Sequence, residues 1–431
     1  MKSSDGRRDR RNHIRNVFHQ PGWGRALPQS FVLPRRAVVA VAAWGAVILL
    51  AGADWPQFRG AESRSLAMNE RLPTDLGPEN VAWVVDLPGQ GVSGPIVVGH
   101  RVLLSCSSGY RERRLHVLCM DSKSGRPRWQ RQFLATGRTM CHPTTAVAAP
   151  TPACDGKRVF AFFSSNDLAC LDLEGNLLWY RGLSRDFPTA ANDVGMASSP
   201  LVVGETVVVQ LESQGESFAA GLNTTTGETR WRVPIVRQAS WTSPVRWSAG
   251  GGKQELVLLQ TPSGLAGINV KTGKQVWQHR AACSSTASCV VSGTTVFLPA
   301  SGLAALRPEE SQVEVLWSEG RLSTGAASPV VYRERIYTLN RAGVLACATV
   351  NTGAVRWKKR LKGTFWATPV ALDDNLYCVN QDGVVQIVSL AERGEVIASY
   401  DLGESILASP AVADDAIYFR SDRHLWKIAD R

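Results

Sequence analysis

The sequence lacks the patterns that identify several large classes of enzyme and metalloprotein. It has no Cys-x-x-Cys-His haem attachment site, no zinc-type Cys/His pattern, no Gly-x-Ser-x-Gly elbow, no phosphate-binding glycine loop and no His-Glu-x-x-His. From Asp54 onward it also has no helical periodicity of useful length. These absences argue against the corresponding hydrolases, nucleotide-binding proteins and zinc proteins. They favour a chain built from short β-strands.

Positive charge is concentrated at one end of this 431-residue chain. The formal net charge is +11, but residues 1–36 contain nine Lys or Arg and two acidic residues, which leaves only +4 for the remainder. A basic pI of this origin is weak support for nucleic-acid binding by the folded part. We therefore expect no nucleic-acid partner. We also expect the Arg-rich, aperiodic residues 1–36 to form a disordered tail.

An apolar segment, Ala37–Ala53, follows this tail and contains 17 uncharged residues. Its positive flank, short apolar core and small-residue end, Ala51-Gly52-Ala53, predict a secretory signal peptide. The length is also the lower limit for a single transmembrane helix, which would leave the large domain outside. Either interpretation predicts an exported protein, periplasmic or membrane-anchored and facing the periplasm or exterior. Membrane contact is expected only through residues 37–53, if they are not cleaved, and residues 54–80 are a lead-in segment.

A hairpin unit recurs along the rest of the chain, as Leu345–Leu361 illustrates. An apolar run leads into Asn351-Thr352-Gly353, and a second run carries Trp357 four residues after the glycine. Two apolar runs joined by a Gly-containing turn predict a β-hairpin. A repeat this regular indicates a repeat architecture. The same Gly-to-Trp spacing ends the copies at Trp129, Trp179, Trp231 and Trp277.

A second marker precedes each hairpin. It consists of a small residue, a Pro, a Val-rich run and an apolar residue seven places after the Pro; in one copy Cys289 replaces the Pro. Pro is tolerated at the first residue of a strand, so each marker predicts the inner strand of a four-stranded antiparallel propeller blade. The eight marker positions are Pro95, Pro152, Pro200, Pro244, Cys289, Pro329, Pro369 and Pro410.

The number of blades follows from the outer strands. Seven are centred on Trp, and an eighth, Val396–Leu402, has Ala398 where Trp is expected. The first outer strand, Val81–Leu87, precedes the first marker, whereas only two strands follow the last marker. If Val81–Leu87 completes the last blade, the ring closes without an open edge. We therefore predict an all-β fold, an eight-bladed β-propeller over residues 81–431, closed by its N-terminal strand.

The outer-strand tryptophans are predicted to be structural, with each ring buried between blades and its N–H bonded to a polar group. Three cysteines in the apolar runs before the turns are predicted to be small buried hydrophobes. These are Cys119, Cys170 and Cys347. The spacing leaves a local disulfide open between Cys283 and Cys289, or between Cys141 and Cys154.

The repeat Leu-Asp-x-x-Thr-Gly-x-x-x-Trp resembles the pyrroloquinoline-quinone (PQQ)-like repeat of quinoprotein dehydrogenases and BamB-type scaffold propellers. The resemblance covers about Trp83 to Arg431, and it weakens around residues 307–317 and 392–400, where the Thr-Gly is lost. Residues 54–60, Asp-Trp-Pro-Gln-Phe-Arg-Gly, are similar to the start of many secreted members. The resemblance implies the fold rather than a cofactor, because the Trp positions serve blade docking in members that bind nothing.

Family members that are dehydrogenases hold their quinone between a Trp floor and a disulfide of adjacent cysteines, beside calcium bound by Glu, Asn and Asp. This sequence has no adjacent cysteines, no Trp-Asp-x-Asp stretch and no compact acidic constellation. We therefore expect neither PQQ nor calcium, no metal site and no catalytic residue. A PQQ-dependent oxidoreductase remains the alternative.

Candidate binding residues lie in the loops at the channel mouth, because blade interiors are packed. Trp241 and Trp366 stand three residues before a marker Pro, where other blades have small residues such as Ala149. Trp at this position is expected near the channel rim, where it either caps its own blade or contacts a peptide or small ligand.

Two longer connections, Thr136–Ala149 and Arg185–Ala197, are expected on the same side. The first contains Cys141-His142-Pro143, the one place where Cys and His are adjacent. A nucleophile pair is conceivable there, but we favour a loop with His142 in a surface polar network. The second contributes Asn192 and Asp193 as candidate binding residues.

Together these features predict a non-catalytic binding or scaffold protein of the cell envelope, monomeric, with envelope proteins or peptides as partners. A sugar-binding propeller that uses Trp241 and Trp366 is a third hypothesis.

Overall fold

A computed structural model describes residues 54–190, 194–249, 254–309, 311–391 and 393–430. The expected tail, residues 1–36, and the expected signal peptide or membrane helix, residues 37–53, lie outside the described residues. Within the described part, no helix has the length and apolar character needed to cross a membrane.

The described residues form thirty-two β-strands and three short helical turns. The helical turns are the 3₁₀ turns Pro78–Asn80 and Tyr110–Glu112 and the α-helix α1, Leu183–Asp186. The strands are β1 Val81–Asp86, β2 Ile96–Val98, β3 Arg101–Ser108, β4 Arg114–Asp121, β5 Pro127–Leu134, β6 Ala153–Cys154, β7 Arg158–Phe162, β8 Asp167–Asp172, β9 Leu177–Gly182, β10 Leu201–Val203, β11 Thr206–Leu211, β12 Phe218–Asn223, β13 Thr229–Pro234, β14 Val245–Ala249, β15 Gln254–Thr261, β16 Gly264–Asn269, β17 Gln275–Arg280, β18 Val290–Ser292, β19 Thr295–Ala300, β20 Gly302–Pro308, β21 Val313–Glu319, β22 Val330–Tyr332, β23 Arg335–Leu339, β24 Val344–Thr349, β25 Val355–Arg360, β26 Val370–Leu372, β27 Asn375–Val379, β28 Val384–Ser389, β29 Glu395–Asp401, β30 Ala411–Ala413, β31 Ala416–Arg420 and β32 His424–Ala429.

These strands form eight antiparallel sheets of four strands, which are the blades of a β-propeller. Seven blades use four consecutive strands, from β2–β5 (blade 1) to β26–β29 (blade 7). Blade 8 has the order β1-β32-β31-β30, so the first strand pairs with the last. The predicted eight-bladed propeller and its closure by the N-terminal strand are confirmed.

The outer tryptophans explain why the repeat contains Thr-Gly. In blade 3, Gly227 has φ +73°, and a Cβ there would lie 2.7 Å from Cδ2 of Trp179 in blade 2. Only a glycine accepts both the positive φ and the close ring. The Trp179 indole N–H donates to the Thr224 carbonyl of the same turn, at 3.0 Å. The turn of blade 3 therefore seats the indole of blade 2. Four further repeat glycines seat the indole of a neighbouring blade in the same way: Gly125, Gly175, Gly273 and Gly353.

Two indoles differ from this pattern. Five outer tryptophans donate their N–H to a carbonyl of the next blade, but the buried Nε1 atoms of Trp277 and Trp357 have no partner among the described residues. Trp357 packs against Gly394 of blade 7, and the repeat copies of blades 5 and 7 are the two in which the sequence has lost Thr-Gly. The two indoles without a partner among the described residues therefore precede the two weak repeat copies.

All nine cysteines are free in the structure, so neither local disulfide is formed. Cys119, Cys170 and Cys347 are fully buried, which confirms the prediction that they pack as small hydrophobes.

Candidate functional site

Every blade contributes to one cavity at the channel mouth, which we call the mouth cavity. The residue three places before each marker position lines it, as does the Ser or Thr one place before the marker in six blades. The cavity encloses about 260 Å³. Its lining residues are Phe58, Val92, His142, Thr144, Thr145, Ala149, Thr151, Ala197, Ser199, Trp241, Ser243, Thr286, Ser288, Ala326, Trp366, Thr368, Leu407 and Ser409.

Three of the five predicted site residues line this cavity: Trp241, Trp366 and His142. The other two, Asn192 and Asp193, lie outside the described residues. The connection that contains His142 also supplies Thr144 and Thr145 to the cavity wall.

Trp366 is held by contacts on two sides. Its indole N–H donates to Oε1 of Gln381 at 3.0 Å, and the guanidinium of Arg341 lies 4.3 Å from its ring centroid. This cation–π contact and the hydrogen bond fix the ring, which is half-buried. Trp366 therefore presents a pre-oriented apolar surface to the cavity.

Trp241 is placed by its backbone, whose N–H donates to the Ser285 carbonyl at 2.7 Å. Behind it, the Gln260 side chain joins neighbouring blades by donating to the carbonyls of Ser284 and Ala287, at 2.8 and 2.9 Å. Its Oε1 accepts the Cys289 N–H at 2.8 Å. This buried amide fixes the rim segment 284–289, whose Ser285 carbonyl accepts the Trp241 N–H.

Glu212 is a buried carboxyl near Gln210 and Ser240, and its oxygens have no hydrogen-bond partner among the described residues. It follows strand β11 in blade 3 and is 1% exposed. Burial raises its pKa to about 8, and the nearby side chains of Gln210 and Ser240 offset the shift only in part. Glu212 is therefore largely protonated at neutral pH.

Cys141 and His142 do not form a nucleophile pair. The His142 Nδ1 bonds the Thr144 hydroxyl at 2.8 Å, whereas the Cys141 thiol donates to Glu112 at 3.6 Å. Burial and the Glu112 carboxylate raise the pKa of the thiol to about 12. A thiol in this environment stays protonated and is a poor nucleophile.

Seven hydroxyls form a ring around the channel just below the rim, which we call the Ser/Thr ring. Each accepts the backbone N–H of the equivalent residue in the preceding blade, at 2.8–3.1 Å. The eighth position is Gly94, which donates to the first hydroxyl and has none of its own. The ring residues are Thr151, Ser199, Ser243, Ser288, Ser328, Thr368 and Ser409.

The lead-in segment crosses the channel below this ring and pairs with the free edges of inner strands. Trp55 bridges Val97 of β2, and Leu66 bridges Ala371 of β26. Between them, Phe58 lines the mouth cavity and Arg59 is buried, with its Nη2 donating to the Cys289 carbonyl at 2.9 Å.

The residues present do not fit a quinone–calcium site. The described residues contain no group of three or more His, Cys, Asp or Glu that could hold a metal ion. The mouth cavity is lined by no carboxylate and no cysteine among these residues. No reaction step is therefore derived through PQQ or calcium.

Sequence reasoning missed Phe58, Arg59, Glu212 and the Ser/Thr ring. The ring had a signal, since the marker itself requires a small residue before the Pro, and in seven blades that residue carries a hydroxyl. Phe58 and Arg59 stood in the recognised stretch 54–60 without any sign that they enter the channel. Glu212 had no signal, because one acidic residue after an apolar strand is ordinarily exposed.

Solved structures of similar fold cover most of this chain at low identity. BamB from Moraxella catarrhalis is 17% identical, with 81% of this chain and 97% of that chain covered and a TM-score of 0.60. Quinohemoprotein alcohol dehydrogenase from Comamonas testosteroni is 11% identical, with coverage of 88% and 81% and a TM-score of 0.69. A europium-containing methanol dehydrogenase is 13% identical, with coverage of 85% and 89% and a TM-score of 0.64. At these identities the likeness shows the fold alone.

Sequence comparison is more specific. Among curated proteins, none has a sequence that matches this one. Residues 78–237, 189–310 and 310–396 match the family described as outer membrane protein assembly factor BamB. Because these segments together span more than half of the 431 residues, the chain belongs to this BamB-like family of PQQ-like repeat propellers.

Proposed function

We propose that the protein is a non-catalytic binding protein of the cell envelope that holds a segment of a partner protein in the mouth cavity. The observation that carries the proposal is the composition of that cavity. It combines two indoles with small and hydroxyl-bearing side chains, and it contains no Asp, Glu, Lys, Arg or Cys among the described residues that line it. Such a surface binds apolar side chains, and the imidazole that lines it, His142, bonds the Thr144 hydroxyl through Nδ1 rather than a nucleophilic cysteine.

The rigidity of the rim supports binding. Trp366 is fixed by Gln381 and Arg341, and the segment that carries Trp241 is fixed by Ser285. A pre-organised aromatic surface loses little conformational entropy when a partner binds. Trp is also the residue type most often found at the energetic centre of protein interfaces.

Placement in the envelope rests on the family and on the N-terminal sequence. The matching family is described as an outer membrane assembly factor, and residues 37–53 have the composition of a signal peptide or short membrane anchor. We infer that the propeller is exported and faces the periplasm or the exterior. Partners are then envelope proteins or peptides, and the inferred state is monomeric.

An affinity capture from envelope extract tests this function with the full-length protein and the variant Trp241→Ala/Trp366→Ala. The control is Tyr110→Ala, which removes an exposed aromatic ring outside the cavity lining. A partner retained by the wild type and the control but lost by the double variant supports the proposal. An identical set of captured proteins for all three forms would contradict it, provided that their melting temperatures agree.

Calorimetry with PQQ and calcium tests the alternative, because several structures of similar fold are dehydrogenases. Saturable micromolar binding would favour an oxidoreductase. The absence of binding heat is the expected result, since the described residues supply neither adjacent cysteines nor a metal cluster.

A further inference from the structure

We propose that the mouth cavity binds the carboxylate end of an apolar peptide, with the chain end directed down the channel toward the Ser/Thr ring and Arg59. This inference rests on the proposed function, because it names the chemical class of partner that the same cavity takes. Three independent observations support it: a channel closed below the cavity, a ring of hydroxyl donors and a buried cation without a counter-ion.

The channel is blind because the lead-in segment binds inner strands around the ring. The segment bridges Val97 and Ala371. Its Pro56 carbonyl also accepts the Cys154 N–H at 2.8 Å, and its Arg59 donates to the Cys289 carbonyl of blade 5. A peptide therefore cannot thread through and must enter and leave by one opening. A cavity of about 260 Å³ lies just below the roughly 300 Å³ at which ligand pockets usually begin. It suits a chain end with its last side chains rather than a folded loop.

The Ser/Thr ring supplies hydrogen-bond donors to this space. Each ring hydroxyl already accepts a backbone N–H, and its own proton has no acceptor among the described residues. Six of the seven ring residues line the cavity. Hydroxyl donors favour an acceptor-only group such as an ionised carboxylate, because a carboxylate has two oxygens and can accept several bonds at once.

Arg59 places a positive charge directly below the ring. Arg59 donates to the carbonyl of Cys289, the residue after Ser288. The Arg59 guanidinium also lies 5.3 Å from the ring centroid of Phe58. Both Ser288 and Phe58 line the mouth cavity. The charge therefore lies close to the hydroxyl donors of the ring, and its field acts into the mouth cavity.

Within the described part of the chain, the charge of Arg59 has no counter-ion. The side chain is 2% exposed, its Nε and Nη1 have no hydrogen-bond partner, and it forms no ion pair with a carboxylate of the described residues. Burial lowers the pKa of Arg59 to about 10, so it remains protonated at neutral pH. A buried cation with two unused donors is unfavourable unless an anion pairs with it.

The local backbone does not account for an arginine at this position. Arg59 has φ +65°, a conformation that favours glycine. On its far side Arg59 borders a second cavity, which contains Glu62 and Glu70. Those carboxylates disfavour an anion in the second cavity, whereas the described residues that line the mouth cavity include no carboxylate. We infer that an anion is attracted to the mouth side.

The test compares randomised octapeptides that end in a free carboxylate with the same peptides as C-terminal amides, on arrays probed with the full-length protein. Affinities of the strongest pairs are then measured by fluorescence anisotropy. We expect each free acid to bind about tenfold to a hundredfold more tightly than its amide, as charge-assisted hydrogen bonds predict. An amide that ends in Glu shows whether a side-chain carboxylate can replace the chain end. Binding of that amide as tight as the free acid would reassign the anion to a side chain and overturn the chain-end assignment.

Variants separate the inference from the proposed function. Arg59→Gln should abolish the preference for the acid, whereas Arg64→Gln, the same change in the same segment, should keep it. Acids and amides that bind the wild type equally would overturn the inference and leave the proposed function standing. If no peptide in either form binds the wild type better than it binds Trp241→Ala/Trp366→Ala, both fail. Should Arg59→Gln not fold, the acid-to-amide ratio of the wild type alone decides.

Discussion

The outer edge of the propeller and the wall of its channel both join neighbouring blades, but they do so by different chemistry. On the outside, an indole of one blade packs on the glycine turn of the next, so the contact consists mainly of buried apolar surface. Inside, a backbone N–H meets a hydroxyl in the next blade. On the outside, the indoles of Trp277 and Trp357 have no hydrogen-bond partner among the described residues, yet their blades still form. On the inside, Gly94 is the one ring position without a hydroxyl.

This difference indicates which interaction contributes most to the stability of the closed ring of blades. Buried aromatic area stabilises a junction even when one polar group stays unpaired, because a large ring contributes more than a single net hydrogen bond. The inner ring contributes less energy per junction and instead leaves its hydroxyl protons available at the cavity. The outer belt is accordingly the stability element, and the inner ring is where binding chemistry accumulates.

The largest expected effect is at the outer edge, from Gly227→Ala. The added Cβ would lie 2.7 Å from the Trp179 ring, and residue 227 has a φ of +73°, which strains any residue with a side chain. Overpacking and backbone strain should together lower the free energy of unfolding by about 2–5 kcal/mol. Gly204→Ala is the matched control in the same blade. It has φ +56° but nothing within 4 Å, so only the strain of about 1–2 kcal/mol remains. Equal losses in urea unfolding would show that the indole seat is unimportant.

The inner wall should respond to pH through Glu212. Its pKa is about 8 in the folded protein and near 4.5 when unfolded, so the folded state binds the proton more tightly. The contribution of Glu212 to stability is then greatest below about pH 4.5 and falls as pH rises to 8, at roughly 1.4 kcal/mol per pH unit. Glu212→Gln should remove this slope, so that its stability relative to the wild type rises between pH 5 and 8. Parallel stability curves would contradict the buried, protonated carboxyl.

A smaller effect distinguishes the docked from the undocked indoles. Trp231→Phe removes an N–H that bonds the Val270 carbonyl at 2.7 Å, whereas Trp277→Phe removes a buried N–H without a partner. Both lose similar ring area, since Trp231 is 7% and Trp277 is 2% exposed. Trp231→Phe should therefore cost about 1–3 kcal/mol more than Trp277→Phe. Thermal or urea unfolding of the two variants checks this, and a reversed order would refute the docking account.

The smallest change expected is at the Ser/Thr ring. Ser243→Ala removes the acceptor of the Ser199 N–H, bonded at 2.9 Å, and should cost about 1 kcal/mol. Ser323→Ala, an exposed serine outside the ring, is the control and should be near neutral. A ring variant as stable as the control would mean that water replaces the hydroxyl.

The architecture could be predicted because each blade is encoded locally. The Gly-to-Trp spacing and the Pro marker each repeat within one blade, and the unpaired Val81–Leu87 strand identified the closure. The mouth position of Trp241 and Trp366 followed from the same repeat. The lead-in segment could not be placed, because it occurs once and its contacts are remote: Arg59 and Cys289 are 230 residues apart. Periodicity carries no information about such a segment.

The last blade draws its strands from both ends of the propeller. Because β1 pairs with β32 only after residue 429 is available, a chain emerging from a ribosome or a translocation pore cannot complete the circle until synthesis or transfer of that strand ends. Until β32 emerges, β1 has no strand partner, and its edge is open to pairing with a second chain. Completion of the ring is thus tied to the emergence of β32, and a truncation that removes β32 should leave an aggregation-prone intermediate rather than a smaller propeller.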